Sequence, residues 1–138
     1  MNISSSNVVF ENIIFINGNA SNGGAIYAKS SSLFVNDSIF MNNLANSGGA
    51  CYLYDSISSI TNSKFINNNA TGSEFNYGGA GIYLDSSESS LVDNCTFINN
   101  TAINGGAMHC HLSFPTINNS FFDNNKAENG GLVIFIVL

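Results

Sequence analysis

The side chains of this sequence with the types and spacing to do chemistry fall into two rows. Tyr27, Tyr52, Tyr83 and His109 each follow a Gly-Gly pair by three or four residues, and Lys29, Tyr54, Asp85 and His111 stand two positions further on. A row of aromatic rings on one surface is a platform for sugar rings or for the apolar face of another protein, so Tyr27, Tyr52, Tyr54, Tyr83, Asp85, His109 and His111 form a candidate binding surface. The plainer alternative is cross-strand tyrosine stacking that only protects a sheet. Asp85 and His111 become neighbours, about 5 Å apart, if the segments that carry them lie side by side. A carboxylate beside an imidazole is suited to acid–base work.

The pair falls short of an enzyme on its own. Glycoside hydrolysis needs two carboxyls flanking a bond in a cleft. A lyase acting on an acidic sugar would want Arg or Lys, and the chain has no Arg and three Lys. No catalytic residue is assigned. No zinc-type Cys/His spacing and no GxGxxG turn opening a helix is present, so the sequence implies no metal ligand and no cofactor. A net charge of −6 offers no counter-charge to a phosphate backbone, which argues against nucleic-acid binding. Cys51, Cys95 and Cys110 are odd in number and read as buried free thiols.

The segments that position these residues are set by a repeat. Gly-Gly recurs at Gly23-Gly24, Gly48-Gly49, Gly78-Gly79, Gly105-Gly106 and Gly130-Gly131, and Phe with Asn two residues on recurs at Phe15, Phe40, Phe65, Phe97 and Phe122. The Phe-to-Gly distance is 8 residues except after Phe65, where it is 13 and an insertion of five is placed within Gly72–Tyr77. The period carries Asn, Ser, Gly and β-branched residues rather than helix formers, so the repeats are strands. Alternation turns Ile26/Ala28, Cys51/Leu53, Ile82/Leu84, Met108/Cys110 and Val133/Phe135 inward, with Gly81 read as an extra bulge residue. A second strand turns Phe10, Val35, Ile60, Val92 and Ile117 inward, and a third is centred on the Phe column. Three strands per coil, stacked in parallel at a rise of about 4.8 Å, are expected. The fold class is all-β: a right-handed parallel β-helix, a pectin-lyase-like solenoid of five coils of about 25 residues, in one domain over residues 1–138.

Asn42, Asn67, Asn99 and Asn124, with their followers Asn43, Asn68, Asn100 and Asn125, are read as stacked amide ladders at a turn. Phe15, Phe40, Phe65, Phe97 and Phe122 stack inside them. Asn-x-Ser/Thr sequons occur at Asn2, Asn19, Asn36, Asn69, Asn94, Asn99 and Asn118, and Asn99 would have no room for a glycan within an internal ladder. The first ten residues lack the pattern of a signal peptide, and the apolar run 132–138 is too short to span a bilayer. Both readings suit a piece of a longer protein with further β-helix coils.

The pairing of Gly-Gly-Ala with Phe-x-x-Asn, met at Phe40-Asn43, Phe65-Asn68, Phe97-Asn100 and Phe122-Asn125, resembles the repeat of the chlamydial polymorphic outer membrane proteins. Gly18 replaces Asn in the first coil, and only Ile26 supplies the aliphatic residue after Gly-Gly-Ala. The resemblance implies a β-helical adhesin, exported to the cell surface or outer membrane, whose partner is a host-cell or cell-surface protein or glycan. It implies binding or scaffolding rather than catalysis. The alternative is a polysaccharide-processing lyase or glycosidase on the same fold.

Overall fold

The second coil serves as the pattern for the others. Its alternating residues form strands Ile26–Lys29, Ser32–Asn36, Ile39–Met41 and Leu44–Ala45. Each pairs in parallel with its equivalent one coil on, as in Ile26 with Cys51, Val35 with Ile60 and Phe40 with Phe65. The computed structural model describes residues 1–137, which stack into four parallel sheets of six, five, five and four strands. Every predicted inward set of the middle coils is buried: Ile26, Cys51, Leu53, Ile82, Leu84, Met108 and Cys110 are closed to solvent, as are Val35, Ile60 and Val92. The Phe column fills the centre, its successive rings 4.7 to 4.8 Å apart and within 9° of parallel. The three cysteines are free and buried, and burial raises each thiol pKa.

Three strands per coil were expected and four are found. The fourth is two residues long in Leu44–Ala45 and Asn69–Ala70, and it stacks Ala45, Ala70, Ala102 and Ala127. Alternation cannot register in so short a run.

The coil turns at three sharp corners, and each corner uses the same two-residue device. The first residue sits in the left-handed region, with φ between 48° and 56° at Ser30, Asp55 and Ser86, at Asp37, Asn62 and Asn94, and at Asn42, Asn67 and Asn99. Short polar side chains tolerate that conformation better than others. The second residue turns inward and caps the coil before it. Ser56 Oγ accepts from the Ser31 amide at 3.1 Å, Ser63 Oγ from Ser38 at 3.1 Å, and Asn68 Oδ1 from Asn43 at 3.0 Å. Cys95 stands in the column of Ser63 and keeps its donor role, the thiol donating to the Asp93 carbonyl at 3.3 Å as Ser63 Oγ does to the Thr61 carbonyl.

This device corrects the reading of the Asn columns. Asn42, Asn67, Asn99 and Asn124 are the exposed left-handed residues, not the internal ladder. The internal ladder is Asn43, Asn68, Asn100 and Asn125, each passing Nδ2 to the next Oδ1 at 2.8 to 3.0 Å. Asn99 therefore faces solvent, contrary to the expectation that its site would be closed to a glycan.

One corner breaks the rule. Leu112 holds φ 47° with no polar side chain, a conformation that costs an L residue about 1–2 kcal/mol. Leu112→Asn is expected to raise stability by about 1 kcal/mol, read as a shift of the urea midpoint; an unchanged or lowered midpoint would refute it.

Gly81 is not an extra residue of the third coil, since the same local pattern recurs in its neighbours. The amides of Gly81 and Ile82 both donate to the Ala107 carbonyl, as those of Ala25 and Ile26 do to Ala50. Gly79 shares the positive φ of Gly23, Gly48 and Gly105. The third coil therefore reads Gly79-Ala80-Gly81-Ile82 where its neighbours read Gly-Gly-Ala, and Ile82 supplies the aliphatic residue that had seemed missing. Fourteen residues separate Phe65 from Gly79 against eight from Phe40 to Gly48, so the insertion is six residues, 73–78.

Candidate functional site

The outer face of the first sheet carries both chemical rows. Parallel pairing sets Tyr27 beside Tyr52, Tyr52 beside Tyr83 and Tyr83 beside His109, with Lys29, Tyr54, Asp85 and His111 in the next register position. Ring centroids are 5.4, 4.7 and 4.6 Å apart along the first row. Tyr52 and Tyr83 lie within 9° of parallel, so each ring covers a face of the other. The row thus presents ring edges and hydroxyls, and a sugar cannot stack on faces already in use.

The row is also shorter at the surface than the sequence suggested. Tyr83 is 2% exposed and His109 is fully buried, because the insertion 73–78 folds over them. The Tyr83 hydroxyl donates to the Asn76 carbonyl at 2.6 Å, and Asn104 Nδ2 donates to the carbonyls of Glu74 and Tyr77 at 3.0 and 2.7 Å. Tyr27 and Tyr52 stay half-buried and Tyr54 exposed, with Lys29 Nζ 5.6 Å from the Tyr54 ring centroid. That separation suits a cation–π contact.

Asp85 is the hub of the polar part. Its Oδ1 lies 3.1 Å from His111 Nδ1 and accepts from Ser86 Oγ at 3.0 Å, while its Oδ2 accepts from the Tyr52 hydroxyl at 3.3 Å. Asp55 stands one residue past Tyr54, its Oδ2 accepting from Ser30 Oγ at 3.1 Å and its amide donating to the Asp85 carbonyl at 2.9 Å. Burial, reinforced by the Asp85 charge, pushes the Tyr52 and Tyr83 hydroxyls above the ordinary tyrosine value, so both serve as neutral donors. The pair can orient a bound hydroxyl or relay a proton. No group of three or more metal-ligating side chains occurs among the described residues.

Sequence reasoning missed a second surface. The outer face of the third sheet carries Ile14 and Ile16, 63% and 53% exposed, and continues through the half-buried Ile39, Met41, Ile66 and Ile98. The signal was available, since Ile14 and Ile16 flank Phe15, Ile39 and Met41 flank Phe40, and Ile66 and Ile98 follow Phe65 and Phe97. An open groove of about 490 Å³ runs over the fourth sheet beside Thr101, Ile103, Lys126 and Glu128, away from Asp85 and His111.

The family model described as right handed beta helix region matches residues 1–135, and the chain belongs to that family. A stretch of 59 residues, 41% of the chain, is 48% identical to metabotropic glutamate receptor-like protein R of Dictyostelium discoideum. The chain spans 4% of that protein's length. No solved structure gives a significant match.

Proposed function

We propose that this β-helix is an extracellular or cell-surface module that acts as an adhesin-like binding surface, or as a scaffold, through the outer face of its first sheet. The observation behind the reading is the cluster of Tyr52, Asp85 and His111, held by hydrogen bonds at the rim of a half-exposed tyrosine row. A rigid parallel sheet presents such groups at fixed spacing, which is what a repetitive partner such as a cell-surface glycan or protein requires. The resemblance to the polymorphic outer membrane protein repeat supports the same reading. The Phe-x-x-Asn signature corresponds to the Phe stack and the internal Asn ladder, so it speaks to the coil, and attachment to host cells is inferred from that family's role. The receptor-like name of the Dictyostelium protein is in keeping with a surface location.

Because the ring faces are occupied, recognition would run through hydroxyls. Tyr52→Phe keeps the stack and removes the donor, and it is expected to lower binding to cells or arrayed glycans about tenfold, the worth of one hydrogen bond to a charged network. Binding unchanged in Tyr52→Phe and in Asp85→Asn would remove this face from consideration.

The 3.1 Å contact of Asp85 and His111 favours a second reading, a polysaccharide-processing enzyme with His111 as the base and Asp85 orienting it. Turnover of a polysaccharide that persists in a double Asp85→Asn, His111→Ala variant would rule it out.

A further inference from the structure

The insertion 73–78 breaks the regularity of the coil, and the polar atoms beneath it are poorly served. Among the described residues, four buried side-chain polar atoms lack a hydrogen-bond partner, and three of them lie here: Asn76 Oδ1 and both ring nitrogens of His109. A fully buried imidazole with neither nitrogen satisfied is costly, and the cost falls on whatever closes the site. The segment gains little in return. Phe75 at its tip is 67% exposed, Glu74 is exposed and Tyr77 is half-buried. Its hold on the body is three side-chain hydrogen bonds from Tyr83 and Asn104 to the carbonyls of Glu74, Asn76 and Tyr77, and one backbone bond from the Gly48 amide to the Gly78 carbonyl at 2.9 Å where the segment rejoins the coil. Low apolar burial and few bonds mark a segment that opens well before the fold does.

We propose that residues 73–78 are an acid-opened flap that covers the Tyr83 and His109 end of the aromatic row. That it gates a binding face rests on the function proposed above; that it opens does not. His109 is packed by Tyr83 on one strand and paired in register with the apolar Ile134 on the other, with Tyr77 and Glu74 in the flap and Asp85 and His111 two positions along. Burial, helped by His111, lowers its pKa from 6.5 to about 4, while the Asp85 charge and the Tyr77 backbone, near the ring but outside hydrogen-bond geometry, pull the other way. Opening returns the ring to water and removes the burial that holds its pKa down, so the value rises toward 6.5. The open flap then binds more protons than the closed one at every pH between 6.5 and about 4. Each unit of pH lost in that window raises the open population about tenfold, and the gain ceases outside it. Opening would bare Tyr83 and His109 and extend the exposed row by two coils.

Hydrogen exchange of the 138-residue chain from pH 7 to pH 4, expressed as protection relative to an unstructured peptide at the same pH, tests this. The flap amide of Tyr77 should lose protection about tenfold per unit below pH 6.5, while Ile82 and Met108 in the sheet keep theirs. In His109→Phe the pH dependence should vanish, and in His111→Gln it should persist. Flap protection that stays flat with pH, an unchanged slope in His109→Phe, or sheet amides that fall in step with the flap would each overturn the proposal. If His109→Phe fails to fold, the comparison of flap with sheet in the unmutated chain still decides. Exchange needs no ligand, so this outcome is separable from the Tyr52→Phe binding result.

Discussion

Replacing Asn68 with alanine is expected to destabilise the fold by about 3–5 kcal/mol, through the loss of several buried hydrogen bonds at once. Asn68 Oδ1 accepts from both the backbone amide and Nδ2 of Asn43 at 3.0 Å, and its own Nδ2 donates to the Phe40 carbonyl and to Asn100 Oδ1, each at 3.0 Å. Alanine leaves the Asn43 amide with no acceptor in a buried corner, where each orphaned group costs about 1–3 kcal/mol. The neighbouring Asn67→Ala is the control. Its side chain is exposed and only its left-handed backbone is at stake, worth about 1 kcal/mol. Urea unfolding of the two variants separates the roles, and an Asn67→Ala loss equal to that of Asn68→Ala would contradict the assignment of the ladder.

The second large effect is expected at Phe65. Its ring lies 4.7 Å from those of both Phe40 and Phe97 and is closed to solvent, so Phe65→Ala opens a cavity in the middle of the stack. The cost should be about 3–5 kcal/mol. A solenoid is held by contacts between neighbouring coils, and Phe65 serves two such interfaces. Phe15 is half-buried, stacks on Phe40 on one side and meets Phe10 edge-on. Phe15→Ala should therefore cost clearly less, and calorimetry or denaturant titration showing equal losses at the two positions would argue against coil-by-coil stabilisation.

The two variants also show where the sequence was legible. Phe65 was placed correctly because the Phe column recurs with an inward neighbour on each strand, and a ladder of identical residues reports the coil directly. Asn68 and Asn67 could not be told apart, since two consecutive Asn columns share one period. Which of them turns inward depends on φ at the corner, a backbone property that residue type allows at either position. The register of Gly81 failed for a related reason. Gly and Ala are both small, so a swap within Gly79-Ala80-Gly81 looks like an added residue until the hydrogen bonds to Ala107 are seen.

By itself, the sequence determined the period, the parallel stacking, the inward columns and the neighbourhood of Asp85 with His111. Each of these follows from alternation within a strand and from the fixed offset of each strand from its own Gly-Gly or Phe marker, which are local properties. Only the tertiary structure decided what the outer face of the first sheet exposes. The insertion 73–78 is adjacent in sequence to Gly79 but covers Tyr83 and His109, and nothing in its composition states where it lies. Side-chain alternation says which way a residue points, and burial depends on what else comes to rest there.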